Sequence, residues 1–313
     1  MHAELERGLA ALKGTEDALL FPTGFAANLS VMGALASSPR CAIFSDALNH
    51  ASIVDGARLA SKGAGAQLHV YRHNDLEHLE DLLARSNAPR KLIVSDSLFS
   101  MDGDVADCVG LASLRDRYGA MLCLDEAHAT LVFGDERGGG VAEAQGVDPT
   151  RIDLHVGTLS KAFGSHGGFV GCTAELKRLL ISTGRAGIYS TALPVPTVAA
   201  ALAALRAATP ELRGRLWSVV DVFNRGIGRG GADGESGSSP IVPIVVGSES
   251  AALEAAEALL REGFAVPAIR PPTVPRGTAR LRVALSAAHS LEQVERLAGA
   301  LNSMGLTHAG QAA

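Results

Sequence analysis

The spacing of apolar residues changes repeatedly along the chain, and each change indicates a new element. Leu5, Leu9 and Leu12 recur at intervals of four and three among charged residues, as in an amphipathic helix. Farther along, short apolar runs alternate with helical stretches. The predicted strands are 41–44, 67–71, 91–95, 121–124, 155–157 and 168–172, and the predicted helices are 51–61, 76–84, 110–118 and 174–182. Apolar strands separated by helices favour an α/β layer fold with a largely parallel sheet covered on both faces.

The pattern changes again near residue 226. Residues 194–224 indicate one or two long helices with a break near Pro210, and residues 226–239 contain six glycines and few apolar side chains. Beyond this loop the pattern predicts a strand, a helix, two strands and a helix, over 241–246, 250–261, 265–269, 280–285 and 291–301. We therefore predict a large domain over residues 1–225 and a small C-terminal α+β domain over residues 226–313.

Composition and charge exclude several classes of protein. With 47% hydrophobic residues and a net charge of −5, the chain is neither disordered nor collagen-like, and a nucleic-acid or membrane-surface partner is not expected. Residues 195–205 form the longest apolar tract, which is too short for a bilayer, and residues 1–20 are too charged for a signal peptide. The four cysteines fit neither a redox pair nor a zinc site, so we expect no metal. We predict a cytoplasmic protein, with the peroxisome or another organelle as the alternative for a plant source.

Polar residues follow two of the predicted strands, in the segments L-C-L-D-E-A-H and V-G-T-L-S-K. Because the carboxyl ends of parallel strands line a ligand crevice, Asp125, His128, Thr158 and Lys161 are expected to converge there. A desolvated lysine suits Schiff-base chemistry, and a nearby aspartate suits protonation of a pyridine nitrogen. Each residue alone has an ordinary interpretation, such as a solvated lysine, a loop histidine or, for Asp125 with Glu126, a capping pair. Their joint occurrence at strand ends favours the catalytic interpretation.

A glycine turn opens an apolar helix in the segment P-T-G-F-A-A-N, residues 22–28. Backbone N–H groups at the start of a helix bind phosphate well, because they have no acceptor within the helix and face the positive end of its dipole. An aromatic residue beside such a site, here Phe25, can lie close to the ring of a cofactor. The alternative is an ordinary helix start capped by Thr23.

Taken together, these segments and F-S-M-D-G-D, residues 99–104, resemble the α-oxoamine synthases. That family consists of fold-type I pyridoxal-phosphate-dependent transferases of the α/β class, with a mainly parallel seven-stranded sheet in the large domain and a small C-terminal α+β domain. The resemblance extends to about Leu301. It implies a decarboxylative condensation of an amino acid with an acyl-CoA thioester. Residues 268–282 are most similar to the biotin-pathway member of the family, which implies L-alanine and pimeloyl-CoA as substrates.

The resemblance also assigns roles to individual residues. Lys161 would hold pyridoxal phosphate covalently and act as the general base, and Asp125 would pair with the pyridinium nitrogen. His50 would stack on the ring and contact the substrate, and His128 would bind the phenolic oxygen. The remaining cofactor contacts would come from Gly24, Phe25, Ser100, Thr158, Ser190 and Thr191.

Two of these assignments involve other parts of the assembly. Ser190 and Thr191 would reach the cofactor of a second subunit, which implies a homodimer with a shared active site. In the small domain, Thr273 and Arg270 would contact the substrate. Other arginines near the predicted strands, Arg280 and Arg282, are alternatives for binding a carboxylate, since a bidentate arginine is the usual partner of that group.

Two alternative functions stay open. The protein is either another α-oxoamine synthase, using glycine or serine with a different thioester, or a subunit that binds pyridoxal phosphate but is catalytically impaired. The second arises because similar family members carry a segment before the helix that begins here at Met1, with a substrate-contacting arginine. That segment closes the substrate entrance. The presence of Lys161 argues against a silent chain.

Overall fold

The computed structural model describes residues 1–229 and 239–306, so most of the predicted glycine-rich loop lies outside the described residues. The chain divides into two compact units. The first contains Met1–Phe99 and Val105–Pro210, and the second contains Ser100–Asp104 and the chain from Glu211 onward.

A seven-stranded sheet forms the centre of the first unit, in the spatial order β1-β7-β6-β5-β4-β2-β3. Its strands are β1 Asp17–Phe21, β2 Cys41–Asp46, β3 Gln67–Tyr71, β4 Arg90–Asp96, β5 Met121–Asp125, β6 Leu154–Thr158 and β7 Gly168–Cys172. The five strands from β6 to β3 pair in parallel, whereas β7 is antiparallel to both of its neighbours. The predicted mainly parallel seven-stranded sheet is therefore confirmed.

Helices cover this sheet, and most of them match the predicted ranges closely. They are α1 His2–Lys13, α2 Gly24–Ala36, α3 Ala51–Ala64, α4 Leu76–Arg85, α5 Cys108–Tyr118, α6 Val141–Ala144, α7 Ala174–Thr183, α8 Arg185–Ile188 and α9 Val195–Ala207, with a 3₁₀ turn at Pro149–Arg151. The pattern did not predict β1, because its short apolar run follows α1 closely and merges with the helical spacing. It also missed α6 and α8, which are each four residues long.

Two apolar clusters hold the layers together. Val31 and Ile53, on α2 and α3, pack with Val170 of β7 in one cluster. Leu9 of α1 packs with Phe169 of β7 in the other. Because successive side chains of a strand point to opposite faces, these neighbouring residues of β7 serve opposite sides of the sheet. Each large apolar side chain buried in this way contributes about 1.5–3 kcal/mol to stability.

The second unit contains an antiparallel three-stranded sheet in the order β8-β10-β9. Its elements are α10 Pro210–Gly226, β8 Ile241–Gly247, α11 Glu249–Arg261, β9 Ala268–Ile269, β10 Ala279–Ala284 and α12 Leu291–Ser303. The strand–helix–strand–strand–helix order agrees with the prediction, and the predicted break at Pro210 is where α10 begins.

The division into units differs from the predicted boundary at residues 225 and 226. Helix α10 packs within the second unit, where the side-chain amide of Asn302 donates to the Gly226 carbonyl at 2.9 Å. The loop Ser100–Asp104 also belongs to this unit, because Gly103 approaches the backbone of Ile241 with a left-handed φ of 71° that favours glycine. The composition marks the glycine-rich loop, whereas packing sets the boundary at Pro210. Within residues 1–229 and 239–306, no helix has the length and apolar character needed to cross a membrane.

Candidate active site

The ends of neighbouring parallel strands bring polar residues of the first unit together. Asp125 is the last residue of β5 and pairs in register with Asp96, the last residue of β4. Thr158 ends the adjacent strand β6. The sheet therefore places these residues at its carboxyl edge, as expected for a ligand crevice.

Asp125 is buried and well supplied with hydrogen-bond donors. Asp125 is only 5% exposed. One carboxylate oxygen accepts from the Asn28 side-chain amide at 2.6 Å, and the other accepts from the Ala127 backbone N–H at 2.9 Å. Its backbone carbonyl accepts from the Ser97 N–H at 2.8 Å. Both side-chain oxygens accept, as an ionised carboxylate does, and neither donor is charged.

A chain of hydrogen bonds connects Asp125 to His50. Asn28 Nδ2, which donates to Asp125, also donates to Ser52 Oγ at 2.9 Å. Ser52 Oγ lies 2.8 Å from His50 Nδ1, and the Ser52 backbone N–H donates to the same ring nitrogen at 3.2 Å. His50 is thereby the N-cap of α3. Helices α2 and α3 each supply residues to this network.

Charged groups surround His50. Partial removal from water lowers the pKa of His50, the Asp125 carboxylate acts in the opposite direction, and the Lys161 ammonium lowers the pKa further. The His50 backbone N–H donates to Asp96 Oδ2 at 2.7 Å. Burial raises the pKa of Asp96 well above its ordinary value, and the neighbouring Asp125 carboxylate raises it further. The site therefore favours a neutral His50, and the raised pKa of Asp96 disfavours a second negative charge beside Asp125.

Lys161 lies in the turn after β6 and is exposed to solvent, so the expected desolvation of this lysine is not observed. Its charge acts on both His50 and Asp96, so the structure brings it into the electrostatic range of the Asp125 network. Thr158, at the end of β6, donates its hydroxyl proton to the Gly167 carbonyl at 3.0 Å. His128 is half-buried in the turn that follows β5. The predicted members of the strand-end cluster are therefore placed at this edge of the sheet.

The start of α2 packs closely against β7. Thr23 caps the helix by accepting from the Ala26 N–H at 3.0 Å, as the alternative interpretation of this segment expects. The N–H groups of the first helical residues, Gly24 and Phe25, have no acceptor within the helix. A side chain at Gly168 of β7 would collide with the backbone of Thr23 and Gly24. Glycine at residue 168 therefore lets the strand pack directly against the turn.

Two predicted residues, Ser190 and Thr191, lie elsewhere in the first unit. They follow α8 and are exposed. They line a surface pocket together with His2, Phe21 and Pro22. Their predicted contact with a second subunit's cofactor stays a prediction.

The remaining predicted residues belong to the second unit. Ser100 is half-buried in the loop Ser100–Asp104, and Thr273 and Arg270 are exposed between β9 and β10 or at the end of β9. Their roles toward cofactor and substrate also stay predictions.

The arginines of β10 differ in their partners. Arg280 is 6% exposed, and its guanidinium forms an ion pair with Asp102. Arg282 donates from Nε to the Ser100 carbonyl at 2.5 Å, and burial lowers the pKa of its guanidinium. Within residues 1–229 and 239–306, Arg282 forms no ion pair. Arg282 is therefore better suited than Arg280 to bind a carboxylate from a ligand.

The residues of the first unit fit pyridoxal phosphate. Asp125 has a buried carboxylate with neutral donors, which would suit a protonated pyridine nitrogen. Lys161 supplies an accessible amine, and Gly24 and Phe25 supply helix-start N–H groups for a phosphate. The donor chemistry required by each part of the cofactor is present in this unit. These features define a fold-type I pyridoxal-phosphate-dependent transferase.

Comparisons with known proteins agree with this class. The sequence profile of the aminotransferase class I and II family matches residues 1–301, and the chain belongs to that family. It is 49% identical to 8-amino-7-oxononanoate synthase from Arabidopsis thaliana, over 96% of this chain and 65% of the plant protein. The chain thus spans less than two thirds of that relative's length. It is 53% identical to 8-amino-7-oxononanoate synthase from Anaeromyxobacter dehalogenans strain 2CP-C, over 96% of this chain and 74% of the other.

The structural similarity extends to solved proteins. A serine palmitoyltransferase variant from S. paucimobilis, described with a bound PLP–myriocin aldimine, has a TM-score of 0.89 and 34% sequence identity. The match covers 97% of this chain and 76% of that protein. The predicted family, fold class and cofactor are confirmed.

The sequence did not indicate every residue of the network. Asn28 was part of the glycine-turn motif without a role, and Ser52 and Asp96 were not singled out. A polar residue such as Asn28 within the otherwise apolar start of α2 is a usable signal, because buried amides require hydrogen-bond partners. The position of Asp96 at a strand end, one strand away from Asp125, is a second signal.

Proposed function

We propose that the protein condenses L-alanine with pimeloyl-CoA, releasing carbon dioxide and coenzyme A and forming 8-amino-7-oxononanoate for biotin biosynthesis. The observation that carries the proposal is the 53% identity to an 8-amino-7-oxononanoate synthase over 96% of this chain. The arrangement of Lys161, Asp125 and His50 at one edge of the sheet supports it.

Lys161 and Asp125 have different roles at the cofactor. When bound through Lys161, pyridoxal phosphate supplies an electron sink for negative charge at the amino acid's Cα. The Lys161 amine would act as the general base that takes the Cα proton. Asp125 keeps the pyridine nitrogen protonated, because its buried carboxylate gains most when its partner is cationic. Gly24 and Phe25 hold the phosphate through their backbone N–H groups.

His50 acts beside these residues as a neutral hydrogen-bonding group. Its Nδ1 is occupied by Ser52, which leaves Nε2 for the substrate. Donation from Nε2 orients the substrate carboxylate or polarises the incoming thioester carbonyl. Within the second unit, Arg282 is better suited than Arg280 to bind a carboxylate, while Arg270 and Thr273 stay the predicted substrate contacts.

A homodimer is part of the proposal. Exposed apolar side chains cluster beside Ser190 and Thr191, including Ile188 and Tyr189, the latter 73% exposed. Such residues on a surface often mark an interface. Analytical ultracentrifugation of the purified chain tests this part, and a monomer at micromolar concentration would contradict it.

The activity is tested by measuring thiol release from pimeloyl-CoA in the presence of L-alanine. We expect release by the wild type and none above background by Lys161→Ala. Borohydride should fix the cofactor onto Lys161, with the loss of its visible absorbance. Release with glycine or serine and another acyl-CoA, but not with alanine and pimeloyl-CoA, would support the alternative α-oxoamine synthase. Cofactor binding without release with any pair would support the impaired subunit.

A further inference from the structure

The hydrogen-bond chain between Asp125 and His50 assigns a role to two residues with no predicted function. We propose that Asn28 and Ser52 are positioning residues, which together hold His50 as the neutral tautomer with its proton on Nε2. Asn28 also fixes the carboxylate of Asp125. The catalytic meaning of this arrangement rests on the function proposed above, whereas the arrangement itself is testable without turnover.

The direction of each hydrogen bond follows from the donors available. An ionised Asp125 carboxylate only accepts, so the amide group of Asn28 must face it through Nδ2. The second proton of Nδ2 is then directed to Ser52 Oγ, 2.9 Å away. Because Ser52 Oγ accepts there, its own single proton is available for His50 Nδ1 at 2.8 Å. The chain of donors therefore runs from Asn28 through Ser52 to the imidazole.

His50 Nδ1 receives a second donor from the backbone. The Ser52 N–H points to the same nitrogen at 3.2 Å, as part of the cap of α3. A ring nitrogen that accepts cannot carry a proton, so the proton of the neutral ring lies on Nε2. Side-chain and backbone groups of one residue thus impose the same tautomer.

Burial makes the network rigid. Asn28 and Ser52 are each 1% exposed, so water does not replace their hydrogen bonds at low cost. Asn28 Oδ1 is buried and finds no partner among the described residues. The amide of Asn28 thus leaves its oxygen without a hydrogen bond while its nitrogen donates to Asp125 and Ser52. This arrangement is expected of a residue kept for the position of its neighbours.

The groups that face His50 act in both directions. The carboxylate of Asp125 favours a proton on the ring, and the ammonium of Lys161 opposes it. Asp96, whose own pKa is raised well above its ordinary value by burial, accepts the His50 backbone N–H. The hydrogen bond donated by the Ser52 hydroxyl to Nδ1 lowers the pKa of His50, as Lys161 does. A proton on Nδ1 would face the Ser52 hydroxyl proton, so an attraction would become a repulsion. Removing the Ser52 hydroxyl should therefore make His50 easier to protonate.

The test is a histidine-labelled ¹⁵N NMR titration of the full chain with pyridoxal phosphate bound. Ring ¹⁵N shifts report both the tautomer and the pKa, and His50→Gln identifies the His50 signals by their loss. In the wild type we expect Nδ1 to be unprotonated at neutral pH. In Ser52→Ala we expect a His50 pKa about one unit higher, a roughly tenfold change in proton affinity, as for the loss of one hydrogen bond.

Ser30→Ala is the matched control. Ser30 lies on α2 two residues from Asn28, is also 1% exposed, and its hydroxyl has no partner among the described residues. It should leave the His50 signals and thiol release unchanged. Asn28→Ala provides a second variant if Ser52→Ala does not fold, and it should also raise the His50 pKa, because it frees the Ser52 hydroxyl to turn away.

Kinetics separates this inference from the proposed function. With pimeloyl-CoA and L-alanine, Ser52→Ala should lower kcat about tenfold with little change in the KM for pimeloyl-CoA. A wild type that releases no thiol would contradict the proposed function, yet the titration would still decide the positioning role. A His50 pKa and tautomer unchanged in Ser52→Ala, or in Asn28→Ala where only that variant folds, would overturn the inference.

Discussion

Asp125 and Glu126 are neighbours in the chain, both carboxylates and both buried, yet they contact different kinds of partner. Asp125 accepts hydrogen bonds from the uncharged amide of Asn28 and from a backbone N–H. Glu126 forms an ion pair with Lys13 at 2.8 Å and contacts His155 Nδ1 at 3.0 Å. Neutral donors hold a carboxylate in place without cancelling its charge, so Asp125 can bind a cationic ligand. Glu126 is paired with Lys13 and stabilises the fold.

Glu126 contacts side chains from two other elements, Lys13 of α1 and His155 of β6. Lys13 ends α1, and its ammonium also donates to Thr130 Oγ1 at 2.9 Å and to the Gly139 carbonyl. Burial alone would raise the pKa of Glu126, but the charge of Lys13 and the hydrogen bond with His155 outweigh it and lower the pKa to about 2. We call Lys13, Glu126 and His155 the structural triad. It ties α1 to the turn after β5.

The comparison predicts that a change at Asp125 lowers activity and that a change at the partners of Glu126 lowers stability. The largest expected effect is that of Asp125→Asn on kcat. The amide keeps the shape of the side chain but removes the charge that holds the pyridine nitrogen protonated. We expect kcat for thiol release to fall about 10²–10⁴-fold, as for the loss of a proton-holding group. The free energy of unfolding in urea should fall by no more than the loss of one neutral hydrogen bond, about 1–3 kcal/mol, because the new amide leaves one of the donors Asn28 and Ala127 without an acceptor but no charge unpaired. A large loss of stability with nearly normal kcat would assign Asp125 to the fold.

Lys13→Met tests the structural triad from the other side. The substitution leaves the Glu126 carboxylate buried without its cation, so the free energy of unfolding should fall by about 3–5 kcal/mol. Urea denaturation measures the loss. Once the protein is folded at low urea, the visible spectrum of the bound cofactor should be that of the wild type, because Lys13 does not contact the Asp125 network.

Arg206→Met is the matched control for a lost ion pair. Arg206 pairs with Glu4 at the same distance of 2.8 Å, but their side chains are 73% and 45% exposed. Water screens such a pair, so its loss should cost less than about 1 kcal/mol. Equal losses in Lys13→Met and Arg206→Met would show that burial does not distinguish the two pairs.

The structural triad also predicts a dependence of stability on pH. Glu126 has a lower pKa in the folded chain than its ordinary value of 4.5, so its contribution is complete above that value. The contribution is lost as the pH falls from about 4.5 to about 2. Urea midpoints measured across this range should fall more steeply in the wild type than in Glu126→Gln. Parallel curves for the two proteins would contradict the lowered pKa.

The comparison also shows what the sequence can predict. The carboxyl-edge positions of Asp125 and Lys161 follow from apolar runs that end in polar residues, because a parallel sheet has one functional edge. The partners of these residues do not follow in the same way. Asn28 meets Asp125 only because α2 packs against β6 and β7, and a contact between residues so far apart in sequence depends on the packing of layers.

The structural triad was harder to predict for the same reason. Lys13 has the sequence context of a surface lysine in an amphipathic helix, with charged residues among its neighbours. Its burial results from the packing of α1 against the sheet. Arg280 is a similar case. The sequence pattern predicts it as a possible carboxylate ligand, whereas in the structure its guanidinium forms an ion pair with Asp102 of the same unit. Local spacing predicts elements, whereas partners across elements require the three-dimensional arrangement.

The smallest expected effect on cofactor binding comes from the helix caps, which extend the comparison to functional and structural positions of the same kind. Thr23 caps α2 and Thr173 caps α7, and each hydroxyl accepts from the N–H three residues later, at 3.0 and 3.3 Å. Replacing either with alanine should cost about 1 kcal/mol of stability. Only Thr23→Ala should also weaken the binding of pyridoxal phosphate, by a few-fold, because it loosens the Gly24 and Phe25 N–H groups at the start of α2. Fluorescence titration with the cofactor measures this, and an equal weakening in both variants would show that lost stability, rather than the position of the cap, is the cause.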